Sequence, residues 1–231
     1  PIGPVTNGQV ARSYWLAPNQ NYVSDTALAE LRAQLHTGPL RHTLLAGLDW
    51  RTIEGTYGMR GTGSLPAVDL YHPVTGIAPP VAATGQAAVA SDARNTGLFL
   101  QDRMQWGDFG LLVGLRRDSF KDAYTKPATD LGKTQPSIAV SWQPAPGAML
   151  YASHARSFQA NSGTLLYGDR AAPPSEGRQI EVGWKQAWLN QRLLTTVSAF
   201  SLELSNAPAT DPLHPGYSVL TARQRIKGVE F

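Results

Sequence analysis

The sequence predicts an all-β chain of about nine antiparallel strands, and three observations lead there. From Asn95 to Asp118 the residues alternate: Phe109, Leu111, Val113 and Leu115 are apolar, while Gly110, Gly114, Arg116 and Asp118 are small or charged. That is the period of a strand with one apolar and one wet face. Glycine and proline together make up 39 of the 231 residues, a turn-rich composition that disfavours a mostly helical protein. The connections between alternating runs are themselves alternately short and long.

The bulk numbers exclude several classes. Charged residues are 16% and the formal net charge is +3 with no basic run, so there is no footprint of a nucleic-acid partner. Cysteine is absent, which removes disulfides and thiolate metal sites. No run approaches the roughly 18 apolar residues of a membrane helix, a rule that leaves membrane β-barrels open because their strands are weakly hydrophobic. Pro1-Ile2-Gly3-Pro4 has neither the basic start nor the apolar core of a signal peptide. The chain is expected to begin inside a longer protein.

Taken in order, residues 1–21 hold three prolines, two glycines and scattered aromatics, and read as a loop. Thr26 to His36 is ambiguous, since Leu28, Leu31 and Leu35 sit at helical spacing. Yet Ala27, Ala29, Leu31, Ala33 and Leu35 alternate with Glu30, Arg32 and Gln34, so a strand is preferred. A Gly38-Pro39 turn leads to a second long strand, Arg41 to Gly58. The 35 residues from Gly58 to Asp92 lack periodicity and read as a long functional loop. The Asn95–Asp118 hairpin turns at Gly107-Asp108. Beyond a loop near Asp122 to Gly132 come a strand ending Ile138 to Trp142, a turn at Pro144 to Gly147, and a strand from Met149 to Phe158. A loop from Gln159 to Pro174 precedes a strand with Ile180, Val182 and Trp184 on one face, which turns near Asn190-Gln191. Its partner is Leu193 to Ser205. A loop with Pro208, Pro212 and Pro215 and a last strand, roughly Val219 to Phe231, complete the chain.

Antiparallel order puts every short turn (near Gly38, Gly107, Pro144 and Asn190) at one end of the sheet and every long loop at the other. This asymmetry fits a transmembrane β-barrel with short periplasmic turns and long extracellular loops. A soluble β-rich domain, using the same loop aromatics to bind a ligand such as carbohydrate, is the alternative.

Two motifs narrow the choice. Gly97-Leu-Phe-Leu-Gln101-Asp102 followed by Gly114-Leu-Arg116-Arg117-Asp118 resembles the barrel of TonB-dependent siderophore receptors. Weaker matches follow in the expected order at Gly38 to Asp49, Tyr151 to Phe158, Glu181 to Lys185 and Gly228 to Glu230. The resemblance implies that residues 1–231 are part of a barrel of about 22 strands, with the plug domain and the barrel's C-terminus outside this chain. It implies a bacterial outer-membrane receptor for ferric siderophore uptake, energised by a TonB-ExbB-ExbD complex that contacts the missing plug segment, and embedded in outer-membrane lipid. Arg117 departs from the family's aromatic at that position. Facing lipid, it belongs near the outer interface, since mid-bilayer arginine costs roughly 2–4 kcal/mol.

No metalloprotease, phosphate-loop or nucleophile-elbow motif is present, so no enzyme is read, and no cofactor or metal site. His36, His42, His72, His154 and His214 show no metal-ligand spacing and read as structural or solvated. Gln101-Asp102 and Arg116-Asp118 are expected to satisfy one another inside a wet lumen. Trp50, Trp106, Trp142, Tyr151, Trp184 and Trp188 suit interfacial girdles. Tyr57, Tyr71, Tyr124, Tyr167 and Tyr217 lie in or beside the long loops. Because a siderophore saturates its own iron, the receptor needs to recognise the chelate's surface. Arg60, Tyr71, Tyr167 and Tyr217 are therefore the ligand-binding candidates, by stacking and hydrogen bonds. Haem and cobalamin are the competing cargoes.

Overall fold

The computed structural model describes residues 2–16, 21–57, 61–74, 76–77, 89–123 and 128–231, all strand, turn or coil. The strands are β1 (Ile2–Thr6), β2 (Gln9–Leu16), β3 (Asn21–Thr37), β4 (Leu40–Tyr57), β5 (Gly61–Asp69), β6 (Val89–Trp106), β7 (Phe109–Asp122), β8 (Thr129–Ala145), β9 (Ala148–Gln159), β10 (Leu165–Leu166), β11 (Arg170–Ala171), β12 (Ser175–Trp188), β13 (Leu193–Ser205), β14 (Ala207–Thr210), β15 (Ser218–Thr221) and β16 (Gln224–Glu230). They fall into two compact units, Pro1–Ser24 with Ile53–Asp92, and Asp25–Thr52 with Ala93–Phe231.

The smaller unit corrects two expectations. Residues 1–21 are not all loop, because Asn7 and Gly8 both take positive φ (50° and 73°) and close a β1–β2 hairpin. An Asn-Gly pair is a strong turn signal, and the composition around it hid it. Within the stretch expected to be structureless, β5 pairs antiparallel with β2 from Gln9↔Asp69 to Leu16↔Gly61. The register slips between Val10 and Arg12, beside Pro66, whose missing N–H interrupts a ladder. Such a short, bulged strand carries no clean alternation.

The main sheet has nine strands in the order β16-β13-β12-β9-β8-β7-β6-β4-β3. These are the nine expected strands, so the ambiguous segment Thr26 to His36 is strand. The central turn is as read: Trp106 pairs with Phe109 across Gly107-Asp108, with Gly107 at φ +54°. Gly38 (φ +59°) followed by Pro39 suits a type II′ turn, since proline cannot take positive φ. β8 reaches further than expected, from Thr129, which shortens the loop before it. Pairing of β8 with β7 runs from Thr129 to Trp142, the whole length of β7, but pairing with β9 ends at Ser137, next to Pro136. The last expected strand is split into β15 and β16.

Register assigns the faces, because directly paired residues share one. One line across the sheet reads Phe109, Trp142, Leu150, Trp184, Val197, and the next reads Leu111, Val140, Ala152, Val182, Ala199, Val229. This face is apolar and open: Leu98, Leu100, Leu115, Ile138, Ile180 and Val182 are exposed, while the only buried hydrophobics among the described residues are Val10 and Ala148. Nothing in the sheet packs as a water-soluble core packs. Trp50, Trp106, Trp142 and Trp188 are exposed, as girdle residues should be. Tyr151 is not among them, because it lies on the opposite face and donates to Glu181 Oε1 at 2.5 Å. Arg117 follows Leu115 on the apolar face, donates to Thr134 Oγ1 at 3.0 Å, and is succeeded there by Ser119 and Lys121. The apolar run thus ends at Leu115.

The polar face is organised by Arg116. Its Nη1 donates to Asp49 Oδ2 (2.6 Å), its Nη2 to Asp49 Oδ1 (3.0 Å) and Asp118 Oδ1 (2.6 Å), and its Nε to both Asp118 oxygens. Gln135 Nε2 donates to Asp118 Oδ2 at 2.6 Å, and the guanidinium lies 5.8 Å from the Phe99 ring centre. Arg116 on β7 reaches Asp49 on β4 by crossing β6 at Gly97, where a Cβ would collide with Arg116 Nη2 and approach Asp49 Oδ2 at 2.7 Å. Gln101-Asp102 behaves differently from expectation. Adjacent residues alternate, so Asp102 pairs with Val113 on the apolar face and bonds His42 Nδ1 at 2.7 Å.

Gly97→Ala should displace the Arg116 guanidinium and destabilise the parent barrel in detergent by roughly 1–3 kcal/mol, less than a fully buried pair because Arg116 is about a third exposed. In a double-mutant cycle with Arg116→Met the two effects should be far from additive. Additive losses would show that Gly97 does not act through Arg116.

Candidate ligand-binding site

The functional candidates lie at the end of the sheet that carries the long connections. Between β9 and β12, and between β13 and β16, the chain builds a small four-stranded sheet of order β11-β10-β15-β14. Leu166 of β10 pairs parallel with Ser218 of β15. That single rung sets Tyr167 beside Tyr217, fifty positions away in sequence. Asn161 ties the loop bases together: its Nδ2 donates to Pro173 O (2.6 Å) and Asn206 O (3.2 Å), and its Oδ1 accepts from Ser175 Oγ (3.1 Å).

Tyr167 stacks on the His214 ring with centroids 3.7 Å apart and meets Tyr217 edge-on at 5.6 Å. Tyr217 donates its hydroxyl to Asp169 Oδ1 at 2.9 Å, and that carboxylate holds the phenol above its ordinary pKa of 10.0. Tyr217 is therefore a protonated donor at neutral pH. Asp211 folds the segment that presents His214. Its Oδ1 accepts from the backbone N–H of Leu213 (2.8 Å) and His214 (3.2 Å), and its Oδ2 contacts His214 Nδ1 at 2.9 Å. The His214 ring, and after it the Leu213 N–H, lower the Asp211 pKa below its ordinary 3.8. Tyr167 itself remains 58% exposed. Two rings and a held hydroxyl thus present a surface that can stack on, and hydrogen-bond to, a ligand.

Of the four sequence candidates, the structure brings Tyr167 and Tyr217 together. Tyr71 belongs to the smaller unit, exposed, with its N–H donated to Asp69 Oδ1 at 2.8 Å and its ring near Gly8. Arg60 lies outside the described residues, as does Tyr124. Sequence reasoning missed His214, Asp211 and Asp169. The signal for the first two was the spacing in Asp211-Pro-Leu-His214, an acidic turn cap three residues before a ring.

Comparison with known proteins agrees with the sheet. Residues 3–231 match the family described as TonB dependent receptor-like, beta-barrel. The chain is 31% identical to the metal-pseudopaline receptor CntO of Pseudomonas aeruginosa (strain UCBPP-PA14), over 87% of this chain and 30% of that protein. It is 28% identical to the ferrichrome outer membrane transporter/phage receptor of Escherichia coli (strain K12), over 100% of this chain and 32% of that protein. The chain thus spans about a third of the length of the curated relatives it matches. The crystal structure of the ferripyoverdine receptor of the P. aeruginosa outer membrane superposes with a TM-score of 0.82 at 17% identity, over 98% of this chain and 32% of that one. The soluble carbohydrate-binding alternative is set aside by this match, and the apolar face meets lipid while the polar face lines the lumen. The chain belongs to the TonB-dependent receptor family, as a section of its outer-membrane β-barrel.

Proposed function

We propose that the protein containing this chain takes up a ferric siderophore across the outer membrane, and that Tyr167, Tyr217 and His214 form part of the outer vestibule that receives it. The aromatic cluster at the long-loop end carries the reading. Curated relatives named for metal-pseudopaline, ferrichrome and ferrioxamine B support the class of cargo. A chelate presents its own organic periphery, so exposed rings and a protonated phenol suit it better than metal-ligating carboxylates do. Tyr71 and Arg60 join the same proposal on sequence grounds. Energy enters through a TonB-ExbB-ExbD complex acting on a plug segment outside residues 1–231. The chain itself performs no reaction in this scheme and holds no cofactor.

Uptake of radiolabelled iron as ferric siderophore, in cells carrying the full-length parent, tests the site. Tyr167→Ala and Tyr217→Ala should each raise the half-saturating concentration roughly three- to tenfold, with the maximal rate unchanged at equal surface abundance. Tyr71→Ala and Arg60→Ala should move it in the same direction. Unchanged uptake at limiting siderophore for all four removes them from the vestibule.

A second expectation concerns pH. Because the Asp211 pKa is lower folded than unfolded, its contribution to loop order is complete above the unfolded value of 3.8 and is lost as pH falls through the folded value. The Leu213 and His214 amides, which donate to Asp211 Oδ1, should keep their hydrogen-exchange protection factors from neutral pH to about 3.8 and lose them below it. Asp211→Ala should abolish that protection at every pH. Protection that persists in that variant would show that Asp211 does not hold the segment.

A further inference from the structure

The lumen wall carries a second arginine cluster, apart from the Arg116 network. Arg32 on β3, Arg41 on β4 and Arg103 on β6 line one depression of about 800 Å³, together with Glu30, Gln34 and Gln101. The three strands are consecutive in the sheet. Their side chains belong to the wet face, since Gln101 and Arg103 alternate in step with Gly97, and Arg41 with Asp49. The cluster sits at the short-turn end. Arg41 follows the Gly38-Pro39 turn by one residue, and Arg103 precedes Trp106, which pairs across the Gly107 turn. Short turns face the periplasm, so this is the exit half of the lumen.

The two clusters differ in how their charge is met. Arg116 is saturated by Asp49 and Asp118. Arg32, Arg41 and Arg103 are exposed and make no hydrogen bond or ion pair among the described residues, and neither does Glu30. Three arginines against one glutamate leave two positive charges in excess, whereas one arginine against two aspartates leaves one negative charge. Phe99 pairs with Arg116, and Arg103 lies four residues further toward the turn, roughly 13 Å along the strand. The wall therefore changes sign toward the exit, and a groove lined by one sign of charge concentrates the opposite ion. Room is left beside it, because Gln101 and Gln105 pair with Gly114 and Gly110 of β7. The volume falls in the range of small-molecule sites, roughly 300–1,000 Å³.

We propose that Arg32, Arg41 and Arg103 form an anion site on the periplasmic half of the lumen wall, which receives a carboxylate-bearing ferric chelate after it leaves the outer vestibule. This rests on the reading of the parent as a siderophore receptor, and it narrows the cargo to chelates of net negative charge. A guanidinium suits a free carboxylate because it donates two parallel hydrogen bonds, and the iron keeps its own ligands throughout. Exposed ion pairs are weak and screened by salt, which suits an occupant that has to leave again. A fixed carboxylate of the plug segment would meet the same arginines permanently, and the two occupants are separable.

The test uses the full-length parent, folded in detergent, with citrate as the carboxylate probe. Phenylglyoxal, which modifies accessible arginine, is the reporter, read by peptide mass spectrometry. Arg32, Arg41 and Arg103 should react, and citrate should slow their modification roughly fivefold where chloride at equal ionic strength does not. Arg192, exposed in the β12–β13 turn, is the reference and should be unaffected. Arginines that are silent without citrate would show that a plug carboxylate already covers them, and equal slowing at Arg192 would show ordinary screening; either result overturns the proposal. In cells, Arg32→Gln with Arg103→Gln should lower the maximal rate of uptake of the ferric siderophore roughly fivefold at an unchanged half-saturating concentration. Arg32→Lys with Arg103→Lys, which keep the charge, should restore most of that rate, and an unchanged maximal rate in the glutamine variant overturns the relay role. The footprint needs no transported cargo, so it decides this site even where the Tyr167 and Tyr217 variants count against the vestibule.

Discussion

Arg116 reaching over Gly97 to Asp49, while also held by Asp118, is the interaction on which the sheet's interior face depends. It links β4 to β7 across an intervening strand, and Gln135 extends the network to β8. One guanidinium is shared by two carboxylates, so the cluster carries one negative charge in excess, and Gln135 Nε2 adds a further donor to Asp118 where an unpartnered carboxylate oxygen would be costly. The arrangement explains why the Gly97 to Asp102 and Gly114 to Asp118 motifs occur together. Glycine at position 97 is the opening through which the arginine of the second motif passes. A side chain there would occupy the path of the guanidinium.

The outer face obeys a different constraint. With no water in the hydrocarbon, a spanning strand must satisfy its backbone in the ladder and show apolar side chains outward. β7 does this from Phe109 to Leu115 and then changes character at Arg117, where Ser119 and Lys121 continue the face. β12 changes at Arg178, after Trp184, Val182 and Ile180. These transitions mark the outer edge of the lipid contact and place the loop sheet with Tyr167 and Tyr217 beyond it. His42 and Asp102 are the exception, a polar pair on the apolar face joined at 2.7 Å through His42 Nδ1 and Asp102 Oδ2, with His42 Nε2 and Asp102 Oδ1 buried and without a partner among the described residues.

Much of this was legible in the chain because a period of two is a local property. The hairpin at Gly107, the strand at Leu31, the loop asymmetry and the facing of Arg117 all follow from neighbours in sequence. What was missed is non-local or weakly patterned. β5 owes its existence to β2, and its proline and bulge erase the alternation that would have announced it. Tyr151 was placed in a girdle by residue type, whereas its rung puts it in the lumen with Glu181. The meeting of Tyr167 with His214 depends on one parallel rung between two loops. No property of either loop alone encodes that rung.

The central claim is that one face of this sheet meets lipid and the other an aqueous lumen. Single spin labels placed in turn from Phe109 to Asp122 in the reconstituted parent measure it most directly, through collision with lipid-dissolved oxygen and with a water-soluble relaxation agent. The account predicts oxygen accessibility at positions 109, 111, 113 and 115, aqueous accessibility at the positions between them, and aqueous accessibility on the outward face from Arg117 onward. Uniform aqueous accessibility, or a profile without the two-residue alternation, would contradict it.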